Sequence, residues 1–150
     1  MIHVIFDPGQ EHIIPAADIE KAALSVLIAA GGEKADLSIV LTNDERIQVL
    51  NRDYRGIDAP TDVLSFTADE PDPETGATYF GDVIISCQRA EKQALAGGHS
   101  LVAEIQLLVI HGVLHLLGHD HDDPDEKARM WAAQVKALQT LDIPATILHE

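Results

Sequence analysis

From Ser100 to His121 the chain reads SLVAEIQLLVIHGVLHLLGHDH, and this segment constrains the fold more than any other. Ser100 suits a helix N-cap. The residues after it are apolar over several turns, and Gly118 tolerates the positive φ that commonly ends a helix. The segment predicts one long helix, and a helix this apolar belongs in the centre of a fold. Glu104 falls in its first turn, where a negative charge suits the helix dipole. The capping box is incomplete, because Ala103 holds its acidic position.

The other elements follow from period and punctuation. IHVIF (2–6) and ADLSIVLT (35–42) read as strands, separated by a helix after Pro15 that Gly31 and Gly32 close. Asn43 and Asp44 can cap a helix over ERIQVLNRDYR, with Ile47 and Leu50 on one face. DVLSF (62–66) is a short strand, and acidic residues 68–78 read as a loop or hairpin connection. TYFGDVIIS (78–86) is a strand, central because VII is continuous and β-branched. CQRAEKQALA is a helix ended by Gly97 and Gly98. Asp122 or Asp123 with Pro124 starts a last helix carrying Met130, Trp131, Val135 and Leu138. The expectation is an α/β (α+β) fold, with a single mixed sheet flanked by helices and one domain over residues 1–150. No apolar stretch approaches the ~20 residues of a membrane span. Cys87 is alone, so no internal disulfide is possible, and no secretory signal is visible at the start. These features favour a cytoplasmic location and no membrane.

Four of the chain's 8 histidines lie in HGVLHLLGHDH, residues 111–121. His111 and His115 are i and i+4, so they share one helix face. A tetrahedral metal accepts two imidazoles at that spacing. A turn at Gly118 brings His121 back to the same metal. His119, also i+4 from His115, is the alternative ligand, but a helix break at Gly118 takes it off that face. H-x3-H-x5-H with a midway glycine is also the spacing of the long zinc-protease signature. That signature carries its general base, Glu, directly after the first His. Here the position is Gly112. Three histidines with an open fourth position make a catalytic layout rather than a closed structural one. Asp120 and Asp122 are candidate partners for imidazole N–H groups, or simply a solvated acidic turn. His3, His12, His99 and His149 read as surface residues.

The net charge of -15 argues against a general nucleic-acid coat. It leaves room for a small basic groove or for a metal that meets phosphate directly. Arg52 and Arg55, in LNRDYRGIDAPTDVLSF (50–66), are two of only 10 Lys and Arg residues. They suit bidentate pairing with a phosphate, or they offset Asp53, Asp58 and Asp62.

LNRDYRGIDAPTDVLSF, FGDVIIS (80–86) and HGVLHLLGHDH, in that order, resemble the YbeY family of metal-dependent endoribonucleases. The resemblance runs over about residues 35–140. It departs at His119, where the family usually has Tyr, and leaves the three ligand positions intact. The resemblance implies a single metallohydrolase domain with a zinc-type ion held by His111, His115 and His121. Three imidazoles also suit nickel, copper or iron. It implies cleavage of single-stranded ribosomal RNA, in maturation of the small-subunit RNA 3′ end and in ribosome quality control, with contact to the ribosome or a ribosomal protein. The family's functional arginine maps to Arg55, which acts with the His115 centre in catalysis. Two other readings stand beside it: a metallopeptidase-like hydrolase, and a non-catalytic ribosome-assembly factor with a structural metal.

Overall fold

The computed structural model describes residues 1–11, 13–31, 35–71, 73–74, 78–120 and 122–148, with 69–71 as backbone only. The elements are β1 (Ile2–Phe6), α1 (Ala16–Ala29), β2 (Asp36–Thr42), α2 (Asp44–Arg55), β3 (Val63–Pro71), β4 (Thr78–Ser86), α3 (Cys87–Gly97), α4 (Leu101–Leu116) and α5 (Pro124–Thr140), then a short 3-10 turn at Ala145–Ile147. The sheet has the order β1-β2-β4-β3. The pairs β1/β2 and β2/β4 are parallel, and β3/β4 is antiparallel. A mixed sheet flanked by helices is therefore present, with β4 interior as its apolar run predicts.

Alternation along the strands divides the core in two. Leu37, Ile39 and Leu41 of β2, with Val83 and Ile85 of β4, point toward α1 and α4 in the larger cluster. Val40, Ile84 and Leu64 point the other way, onto Ile47 of α2. The period of two puts consecutive residues on opposite faces, so helices must cover both. Helix α4 is buried nearly all round and contacts α1, α3, α5, β3 and β4. Ile105 and Ile110 are fully buried, each contributing about 2 kcal/mol by removal from water. No single helix among the described residues is long and apolar enough to cross a membrane.

The predicted caps form. Asn43, Ser100 and Asp123 each accept a backbone N–H in the first turn of α2, α4 and α5. At the other end of α4, Gly118 has φ +97°. The N–H of His119 reaches Leu114 O at 3.0 Å and that of Gly118 reaches His115 O at 3.0 Å. This 6→1 and 5→2 pair ends the helix at Leu116, with Leu117 as its C-cap.

Three expectations need correction. Strand β3 continues to Pro71 instead of ending at 66, so part of the predicted 68–78 connection is strand. Backbone pairing with β4 does not depend on side-chain charge, and acidic residues are tolerated at a sheet edge. His99 is not a surface residue: its side chain is 13% exposed, and its Nε2 lies 2.6 Å from Oε1 of Glu104. Glu104, read as a first-turn dipole partner, is fully buried. The turn at Gly98 folds α3 back on α4 and closes His99 over the Glu104 carboxylate. His3 is exposed as expected, while His12 and His149 lie outside the described residues.

Candidate active site

His111 and His115 project from one face of α4, in its last two turns. Their Nε2 atoms are 3.1 Å apart, with ring centroids at 4.6 Å and planes at 73°. Nδ1 of His111 donates to Oε1 of Gln134 on α5 at 3.0 Å. That bond places the ring proton on Nδ1 and leaves the Nε2 lone pair pointing at His115. His121, the predicted third ligand, lies outside the described residues.

The histidine pair opens into a cleft whose other wall is β3 and the end of α2. Its lining includes Arg55, Ser65, His111, His115, His119 and Asp120. Arg55 is the last residue of α2 and is exposed, with no ion pair to the described residues. Arg52 instead points to Asp53, 3.1 Å away. Of the two arginines, one offsets a neighbouring acid and the other shares a cleft with the histidines. Tyr54 packs edge-on to Phe66 at 5.3 Å, which ties the end of α2 to β3 and so carries Arg55 to the cleft.

Asp62 stands where β3 begins. Its carboxylate accepts from Val63 N at 2.8 Å and from Nε2 of Gln93 at 3.2 Å. It lines the cleft and also a second cavity behind His111, between α3, α4 and α5.

Gly112 faces the sheet. A Cβ there would lie 2.5 Å from Cγ1 of Val83 and 3.3 Å from Oγ of Ser65. The Ser65 hydroxyl also donates to Gly112 O at 3.1 Å. The close approach of α4 to β3 and β4 therefore requires glycine, and a protease-type Glu has no room at this position.

Sequence reasoning missed Gln134. The signal was present: Met130, Gln134 and Leu138 form an i, i+4 stripe on α5, and Gln134 is a polar residue 7% exposed within it. Its partner lies 23 residues earlier, so spacing alone does not pair them. The orienting contact predicts a measurable effect. Gln134→Leu keeps the volume and removes the acceptor, and metal affinity should fall about 10- to 100-fold in a chelator competition. Unchanged affinity would mean that this bond does not orient His111.

The sequence profile of the family described as Endoribonuclease YbeY matches residues 7–142. Similar proteins include the Endoribonuclease YbeY of Pelotomaculum thermopropionicum, 47% identical over 129 residues, covering 83% of this chain and 85% of that protein. That of Heliobacterium modesticaldum is 45% identical over 132 residues, covering 81% and 80%. Among solved structures, the solution structure of TM1509 from Thermotoga maritima shares the fold. It has a TM-score of 0.62 and 22% identity, over 95% of this chain and 92% of that one.

Proposed function

The chain belongs to the YbeY family and is a hydrolytic endoribonuclease, and from that premise we propose that the cleft between α4 and β3 is its active site, with a zinc-type ion held by His111, His115 and His121. The supporting observation is the pairing of the two Nε2 atoms. Two nitrogens about 2.0–2.1 Å from a tetrahedral zinc are about 3.3 Å apart. The pair in α4 is within a few tenths of an ångström of that, with His111 already held in the ligating tautomer by Gln134. Nickel or another transition metal fits the same donors. A metal bound there supplies a water of lowered pKa and a Lewis acid for a phosphate oxygen.

The chain's own residues do the rest. Arg55 pairs with the scissile phosphate and takes up charge as it develops. His111 and His115 hold the reacting centre at the end of a rigid, buried helix. The proton acceptor is one of the carboxylates lining the cleft, Asp62 or Asp120, or a substrate phosphate. The substrate is single-stranded ribosomal RNA, at the small-subunit 3′ end and in ribosome quality control. Residues 1–150 act as one metallohydrolase domain in the cytoplasm, in contact with the ribosome or a ribosomal protein. A chain of net charge -15 holds RNA weakly over its general surface. Delivery by such a partner offsets that weakness. The peptidase alternative loses its base at Gly112, and an assembly factor without catalysis does not fit a family of endoribonucleases.

Arg55→Glu tests the division of labour. Cleavage of single-stranded ribosomal RNA should fall by about 100-fold or more, the scale of losing one transition-state donor. Metal content and melting temperature should stay at wild-type values. Unchanged cleavage removes Arg55 from the reaction.

A further inference from the structure

The second cavity adjoins the cleft, and Asp62, Val63 and His111 line both. Its volume is about 480 Å³, within the range of small-molecule sites. Leu107, Leu108 and Met130 form apolar walls, each 2–3% exposed. Trp131, the chain's one tryptophan, lines it as well and keeps 38% of its surface exposed. The indole therefore borders both the apolar wall of the cavity and solvent.

The polar groups in this cavity have defined roles. Gln134 gives its amide oxygen to His111, so its NH2 is the group it offers a ligand. Asp62 offers a carboxylate, an acceptor held in place by Val63 N and Gln93. A donor and an acceptor between apolar walls, with an aromatic face beside them, match a planar heterocycle that carries both kinds of edge. Lys127 also lines the cavity, but the walls are mostly apolar, so the space suits a flat ring better than a phosphate, which would also meet the Asp62 carboxylate. Single-stranded nucleic acids are commonly held by stacking one base on an aromatic side chain.

We propose that this cavity is a nucleobase subsite, in which Trp131 stacks on the base of a nucleotide flanking the scissile phosphate while Gln134 and Asp62 meet its edge. This rests on the reading of the adjoining cleft as the phosphodiester site. The RNA then turns at the wall formed by Asp62 and His111, with its backbone on the Arg55 side and one base on the Trp131 side. Selection of unpaired RNA follows, because a base held in a duplex cannot enter the cavity.

The test uses a short single-stranded ribosomal RNA with one cleavage site, and a set in which each flanking nucleotide in turn is abasic. Stopped-flow mixing with excess enzyme reads indole fluorescence, which reports Trp131 alone, and then cleavage. Wild type should lose about tenfold in kcat/KM at one abasic position next to the scissile bond. The fluorescence change that precedes cleavage should vanish with the same substrate. Trp131→Ala should lower cleavage of intact RNA by a similar factor and be indifferent to that abasic position, while Trp131→Phe should restore most of the discrimination. Equal sensitivity to abasic substitution in wild type and Trp131→Ala overturns the subsite. So does a fluorescence signal that ignores the abasic series. If wild type cleaves no RNA, the active-site reading fails, and the fluorescence series still decides whether the cavity takes a base.

Discussion

His115→Ala should purify as a folded protein that has lost its metal and its RNA cleavage. The side chain is only half-buried, and its Nε2 lies 3.1 Å from that of His111. Removal of the side chain should cost the fold about 0.5–3 kcal/mol, the range of ordinary single substitutions. Its cost to the site is far larger. Groups that merely orient a ligand are worth about 10- to 100-fold in metal affinity or activity, so loss of a ligand should exceed about 100-fold. Elemental analysis after gel filtration should give close to one metal per wild-type chain and near zero for the variant. Circular dichroism should show the same helix content in both. Normal metal content in His115→Ala removes this residue from the ligand set.

Gly112→Glu should not yield a natively folded protein. Its Cβ alone would press on Val83, a β-branched side chain that is fully buried in interior strand β4 and has little freedom to turn away. Over-packing of this kind costs about 1–3 kcal/mol. Glu adds a carboxylate forced into apolar surroundings without a partner, which costs several kcal/mol more. The sum reaches the 5–15 kcal/mol that stabilises an ordinary domain. Gly112→Ala should fold with a lowered melting temperature, since about 1 kcal/mol of helix propensity offsets only part of the overlap. A soluble Gly112→Glu protein that melts cooperatively at the wild-type temperature would contradict the close seating of α4 on the sheet. This prediction also separates the chain from the zinc proteases whose histidine spacing it shares. The residue after the first histidine is the base in those enzymes, whereas here it is a contact point between helix and sheet.

How much of this was legible depends on whether the cause is local. Helix α4 was readable because its start, its stop and its burial are all encoded within the segment, in Ser100, Gly118 and the apolar residues between them. The shared face of His111 and His115 follows from helix geometry alone. The extent of β3 was not readable. Its acidic residues suggest a loop, and only pairing with β4, a tertiary event, makes them strand. The His99–Glu104 contact was hidden for the same reason, because it depends on how α3 turns back onto α4. Arg55 was singled out over Arg52 by resemblance to a family; the fold adds only that Arg55 lines the cleft while Arg52 lies beside Asp53. Gln134 carried a local signal, a polar residue in an apolar stripe, but no indication of which imidazole it serves.

If a metal at the end of α4 runs RNA cleavage, activity must follow metal occupancy. The most direct test strips wild-type protein with a chelator and returns zinc in small steps, with cleavage of single-stranded ribosomal RNA measured at each step. The stripped protein should cleave nothing, and activity should rise linearly to a break at one zinc per chain. Full cleavage by verified metal-free protein, or a recovery with no break at one equivalent, would contradict that dependence on metal.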